Sequence, residues 1–159
     1  MALVKNFNSF VSLAEAELYF ADRLDVDAWT SANDTQKSQA LVTATSMLDQ
    51  LEWVGVAVSE SQNLAFPRTG TYFDPRLGYE ASMQSVSSYM RLSFATYELA
   101  YHLLNNDGLL DDAGEVEDLK VGNISLNKLS APNKIPSIVM RNIRPMLANQ
   151  GSKVWWRAN

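Results

Sequence analysis

One histidine, His102, and one run of acids, Asp107, Asp111, Asp112, Glu115, Glu117 and Asp118, are the residues whose types could do chemistry in this 159-residue sequence. His102 lies between Tyr101 and Leu103 in an apolar stretch. A base or metal ligand there would need partners at a defined spacing, and none is visible, so it reads as structural. The acids lack the Asp-x-[Asp/Asn]-x-[Asp/Asn]-Gly order and later glutamate of a calcium loop. They read as a solvated loop, the sharper alternative being a weak cation site or a patch that steers a partner by charge. No Gly-x-Ser-x-Gly elbow, phosphate-binding loop or dinucleotide fingerprint occurs. The absence of cysteine removes disulfides, thiolate catalysis and Cys-ligated zinc. The expectation is a protein that is not an enzyme, with no catalytic residue, cofactor or metal.

Charge is unevenly distributed. The net charge is −5, yet residues 133–159 hold five cations (Lys134, Arg141, Arg144, Lys153 and Arg157) and no acid, so residues 1–132 carry −10. The basic segment also contains Trp155-Trp156. Burying a Trp side chain removes on the order of 200 Å² from water. At about 25 cal/mol per Å² that is at most ~5 kcal/mol each before ordering costs. Residues 148–159, with Lys153, Trp155, Trp156 and Arg157 as anchors, therefore read as a docking tail, onto a partner or back onto their own subunit. Gly151-Ser152 supplies a flexible joint. A pI near 4.8 argues against the body as a general binder of nucleic acid. Trp29, Trp53, Phe66, Tyr72, Phe73 and Tyr79 could serve as stacking platforms for single strands, but only Arg68 and Arg76 lie near them, so packing is the preferred reading. No apolar run approaches the ~20 residues that span a membrane, and the first residues lack the order of a secretion signal.

The elements that would position these residues are mainly helical. The first ten residues read as an extended arm. Ser12-Leu13-Ala14-Glu15 forms a capping box, opening a helix to about Leu24 that buries Leu13, Ala16, Leu18, Phe20 and Leu24 in part. Residues 25–31 form a connection that places Trp29. Asn33 or Asp34 caps a second helix to about Trp53, with Leu41, Ala44, Leu48 and Leu51 on its core face. Residues 55–80 hold Pro67, Gly70, Pro75 and Gly78 and read as a long functional loop. A third helix is expected from about Ser82 to Asn105, with Val86, Tyr89, Met90, Ala95, Tyr97, Ala100, Leu103 and Leu104 apolar. A hairpin at about 115–129 turns at Gly122-Asn123. A fourth helix starts with Pro136 at its first position and frays at Pro145. The fold class is mainly α: a bundle of about four helices with a small β-hairpin and an extended C-terminal tail, a single domain over residues 1–147 plus the tail.

Several segments in this order resemble a known group. Ser12-Leu13-Ala14-Glu15-Ala16-Glu17-Leu18-Tyr19-Phe20, Ala28-Trp29, Ala40-Leu41 with Leu48-Asp49, and Gln62-x-Leu64-Ala65-Phe66-Pro67-Arg68 are similar to the head–tail connector (adaptor) proteins of tailed bacteriophages. Some members of that group carry the label of DnaT-like single-stranded-DNA-binding domains. Leu119 to Leu126 and Ile135-Pro136 also resemble the group's hairpin and following helix, so the likeness runs over about 12–147. It implies a helical bundle of which about a dozen copies form a ring below the portal, extending the DNA channel and offering the tail its attachment site. It implies no catalysis, portal and tail or neck proteins as partners, DNA passing without sequence-specific contact, no membrane, and a virion protein made in the host cytoplasm. On this reading residues 62–78 form an inter-subunit or tail-facing loop carrying Phe66, Arg68, Tyr72, Phe73 and Arg76, with Arg68 as a charge partner to a neighbour. The C-terminal tail would dock into the portal. A single-stranded-DNA-binding module is the alternative.

Overall fold

The computed structural model describes residues 2–106, 118–121, 124–127 and 135–148. Four earlier expectations lie outside the described residues: the acidic stretch 107–117, the Gly122-Asn123 turn, the flexible joint and the docking anchors Lys153, Trp155, Trp156 and Arg157. Nearly half of the described residues are helical, in five α-helices with short antiparallel strand pairs between them, which agrees with the expected class.

The N-terminal segment is turned rather than extended. Asn6 takes a left-handed φ of 64° and donates its backbone N–H to Ser9 O at 2.7 Å, which drops Ser9, Phe10 and Val11 into the core. α1 (Leu13–Ala21) starts at the expected capping box, with Ser12 and Glu15 satisfying each other's backbone N–H groups. It ends before Leu24, because the chain turns at Asp22 and Asp25 adopts φ 58°. Ala16 and Phe20 are buried as expected, but Leu18 is 72% exposed and Leu24 91%. The connection holding Trp29 is itself a short helix, α2 (Asp27–Ser31), whose Trp29 stacks on Phe20 with ring centroids 4.3 Å apart.

α3 (Asp34–Asp49) begins at a second capping box, Asn33 with Gln36, and buries Leu41, Ala44 and Leu48. α4 (Val86–Asn105) is the central element, packing on α2, α3 and α5 (Ser137–Ile143). It starts at N-cap Ser85 rather than Ser82, because Ser82 is still in a strand. Ala95, Tyr97, Ala100 and Leu103 are buried, whereas Val86, Tyr89 and Met90 face outward. Pro136 is the N-cap of α5 rather than its first residue, and the helix tightens into a 3-10 turn at Arg144–Met146 containing Pro145. Missing the i→i−4 donor, Pro145 fits that change.

Residues 55–82 are not structureless. β1 (Val56–Ala57) pairs with β2 (Arg68–Thr69), and β3 (Thr71–Asp74) pairs with β4 (Tyr79–Ser82) as a hairpin. Gly55 sits at φ 76°, and a Cβ there would lie 1.8 Å from Thr69 O, so the close approach of the two chains requires glycine. The expected later hairpin is present as β5 (Asp118–Val121) and β6 (Ile124–Asn127), antiparallel with Leu119 opposite Leu126.

Candidate functional site

The segment between α3 and α4 is built from inside outward. Trp53 is buried, donates its indole N–H to Leu48 O at 3.0 Å, and meets Phe66 edge-on at 4.9 Å. Phe66 in turn packs edge-on against Phe10. Arg68 lies beside them and donates to the backbone carbonyls of Val54 (3.0 Å), Ala65 (3.3 Å), Trp53 (3.4 Å) and Gly55. A planar five-donor guanidinium suits this bracing of several carbonyls. Arg68 is thus committed to its own chain. The Gln62-to-Arg68 motif reads in space as a loop clamp: aromatic anchor, proline and a carbonyl-gathering arginine.

The β3–β4 hairpin is fixed at a second point. Asp74 is fully buried and accepts from Arg91 Nη2 at 2.5 Å and Nε at 3.2 Å, Tyr72 Oη at 3.0 Å, the Arg76 backbone N–H at 2.9 Å, and Ser87 Oγ. The Arg91 guanidinium is the main reason that the Asp74 carboxyl is held well below the usual carboxylate range, against the opposing effect of burial; Ser87, the Arg76 amide and Tyr72 add to the lowering. Arg91 also donates to Asn142 O at 3.1 Å, so one buried pair ties β3 and α4 to α5. Two further groups tie α1 to the bundle. Arg23 and Tyr19 both donate to the buried Glu98, and Lys37 pairs with Glu17 at 2.8 Å. Burial first, then the Glu98 contact, pushes the Tyr19 phenol up to about 12.

Of the residues expected on this loop, Phe66 and Tyr72 are interior, Arg68 is an internal brace, and Phe73 and Arg76 face outward. Sequence reasoning did not bring Phe73 together with the C-terminal arginines. Phe73, Pro75, Met140, Arg141, Arg144 and Pro145 line an open cleft of about 570 Å³. Arg141 and Arg144 are exposed there. The periodicity that could have shown it is the i, i+3 spacing of these two arginines, which puts them on one face of α5 and the 3-10 turn that continues it. His102 is half-buried, with the Asn106 amide against its ring and its own backbone carbonyl. Among the described residues no group of three or more His, Asp or Glu side chains could hold a metal ion, and no helix is long and apolar enough to cross a membrane.

The cations divide into two populations. Residues 2–106 contain six cations against twelve acids. Lys5, Arg23, Lys37 and Arg91 are in ion pairs, and Arg68 is bound to carbonyls. Arg76 alone of the six has no such partner among the described residues. Arg76 is therefore an outward cation outside any ion pair, as are the cleft arginines Arg141 and Arg144.

A family model described as "Putative DnaT-like ssDNA binding protein" matches residues 2–157. No curated protein and no solved structure matches the chain.

Proposed function

The chain belongs to the DnaT-like family whose model spans it, and from that premise we propose that it acts without catalysis as a head–tail connector of a tailed bacteriophage, in a ring below the portal. The family description names single-stranded DNA as ligand, and the question is how a member with this surface would meet DNA. The observation that carries the connector reading is the disposition of cations. Five of the six in residues 2–106 are bound within the chain, four of them to Glu15, Glu98, Glu17 and Asp74, so eight of the twelve acids of that body lie outside these ion pairs. Polyanion binding depends on cations free to displace counterions from phosphates. A body with its cations so committed suits a conduit that lets DNA slide past, as the connector group requires. The braced β1–β4 segment supports the same reading, because a surface ordered in advance loses less entropy on docking to neighbours.

A second reading, a single-stranded-DNA-binding module, is favoured by the family description and by the cleft. Phe73 offers a stacking face, with Arg141 and Arg144 beside it to meet phosphates. Fluorescence anisotropy of a labelled oligothymidylate separates the two. The connector reading expects no saturable binding at micromolar protein in 50 mM salt. Binding that weakens steeply at 200 mM salt and is lost in Arg141→Glu/Arg144→Glu would replace it with the second reading.

A further inference from the structure

The α1–α2 connection exposes an apolar residue among acids close to it in sequence. Leu24 is 91% exposed, and Asp22, Asp25 and Asp27 surround it in sequence, all exposed and none in an ion pair among the described residues. The connection is held in shape. Arg23 pairs with Glu98 and lies over the rings of Tyr19 and Tyr101, and Tyr101 donates its hydroxyl to Asp25 O at 2.9 Å. The cleft described above has the opposite character: Phe73, Met140 and Pro145 line it together with the exposed Arg141 and Arg144. Shape and charge are complementary, a small apolar projection among anions against an apolar hollow among cations.

The two patches cannot satisfy each other within one subunit. The cleft is fastened to α4 through Arg91, and the projection through Tyr101. Ten residues of helix separate those two fastenings, about 15 Å along the axis. Complementary patches at separate places on one surface make a heterologous contact, which closes into a ring or runs on as a filament.

We propose that Leu24, presented among Asp22, Asp25 and Asp27 of one copy, docks into the Phe73–Met140–Arg141–Arg144 cleft of a second copy, head to tail. This rests on the ring reading and names the contact that would build the ring. Each contact is small, so it gains strength chiefly when a template or ring closure makes the encounter intramolecular.

The chain has no cysteine, so Ala21→Cys, at an exposed position beside the projection, and Ser137→Cys variants of the full chain report the contact while leaving Leu24, the three acids and both arginines in place. Mixed one to one on portal rings and treated with a short bismaleimide, they should give the mixed dimer in preference to either like pair. The double variant should give a ladder. Adding Arg141→Glu/Arg144→Glu should cut the mixed product by about tenfold, with circular dichroism confirming the fold. Like pairs as abundant as the mixed one, or a yield indifferent to the charge reversal, overturn this contact. Portal-bound rings without the cross-link also overturn it and leave the connector reading standing. Failure to form any ring on the portal overturns both.

Discussion

Replacing Asp74 by asparagine removes the negative charge at the point where β3, α4 and α5 are held together. Asp74 has no exposed surface, and its partner Arg91 is largely buried. Breaking such a pair leaves a cation without compensation and costs about 3–5 kcal/mol. Asparagine keeps one acceptor oxygen, which places the expected loss near the lower end, about 3 kcal/mol. For a chain of this size each kcal/mol moves the melting temperature by roughly 2–4 °C, so Asp74→Asn should melt about 6–12 °C lower at pH 7. Thermal and urea denaturation measure this directly. The pH dependence has a definite sign. The folded carboxyl sits below its unfolded value of about 3.9, so its contribution is present above that pH and is lost as pH falls through the folded pKa. The stability of the parent protein should therefore fall below pH 4 more steeply than that of Asp74→Asn. A variant melting within about 2 °C of the parent at pH 7, with an unchanged acid limb, would refute the account of the pair as a buried fastening.

Gly55→Ala should be severely destabilising, because its Cβ would clash with Thr69 O and its φ is left-handed; equilibrium denaturation and protease sensitivity of the 55–69 segment would both register it. Ser12→Ala should cost about 1 kcal/mol through loss of the α1 cap, seen as a lower urea midpoint with unchanged slope. Burial and Glu98 raise the Tyr19 phenol to about 12, so the stability it contributes is present below its unfolded value near 10 and lost as pH rises through 12. Tyr19→Phe should flatten that alkaline limb. Deleting residues 152–159 should leave a folded, soluble protein that no longer joins portals, as a pull-down with portal rings and circular dichroism would report together.

The helices were legible where local chemistry and burial agree. The Ser12–Glu15 box and the Leu41–Ala44–Leu48 stripe each fix an element by short-range rules, and both are found. The outer turns were misread for a physical reason: Leu18, Leu24, Val86, Tyr89 and Met90 extend the apolar pattern on faces left exposed by the described residues. The strand pairs of residues 55–82 escaped detection because they are two to four residues long and are held by long-range contacts, Arg68 to carbonyls and Asp74 to Arg91, which leave no periodic trace. For the same reason Arg68 read as a charge partner to a neighbour and Trp53 as the end of a helix. The arginine cleft joins residues some seventy positions apart, Phe73 and Arg144, a juxtaposition that only the packing of α5 against α4 creates.

Electron cryomicroscopy of the neck of the assembled particle tests the connector role. The expected result is a ring of about a dozen copies below the portal, its α1–α5 core lining a channel through which DNA passes without ordered contact to Arg68 or Arg91. A neck complete without this protein, or particles that join tails and retain DNA in its absence, would contradict it.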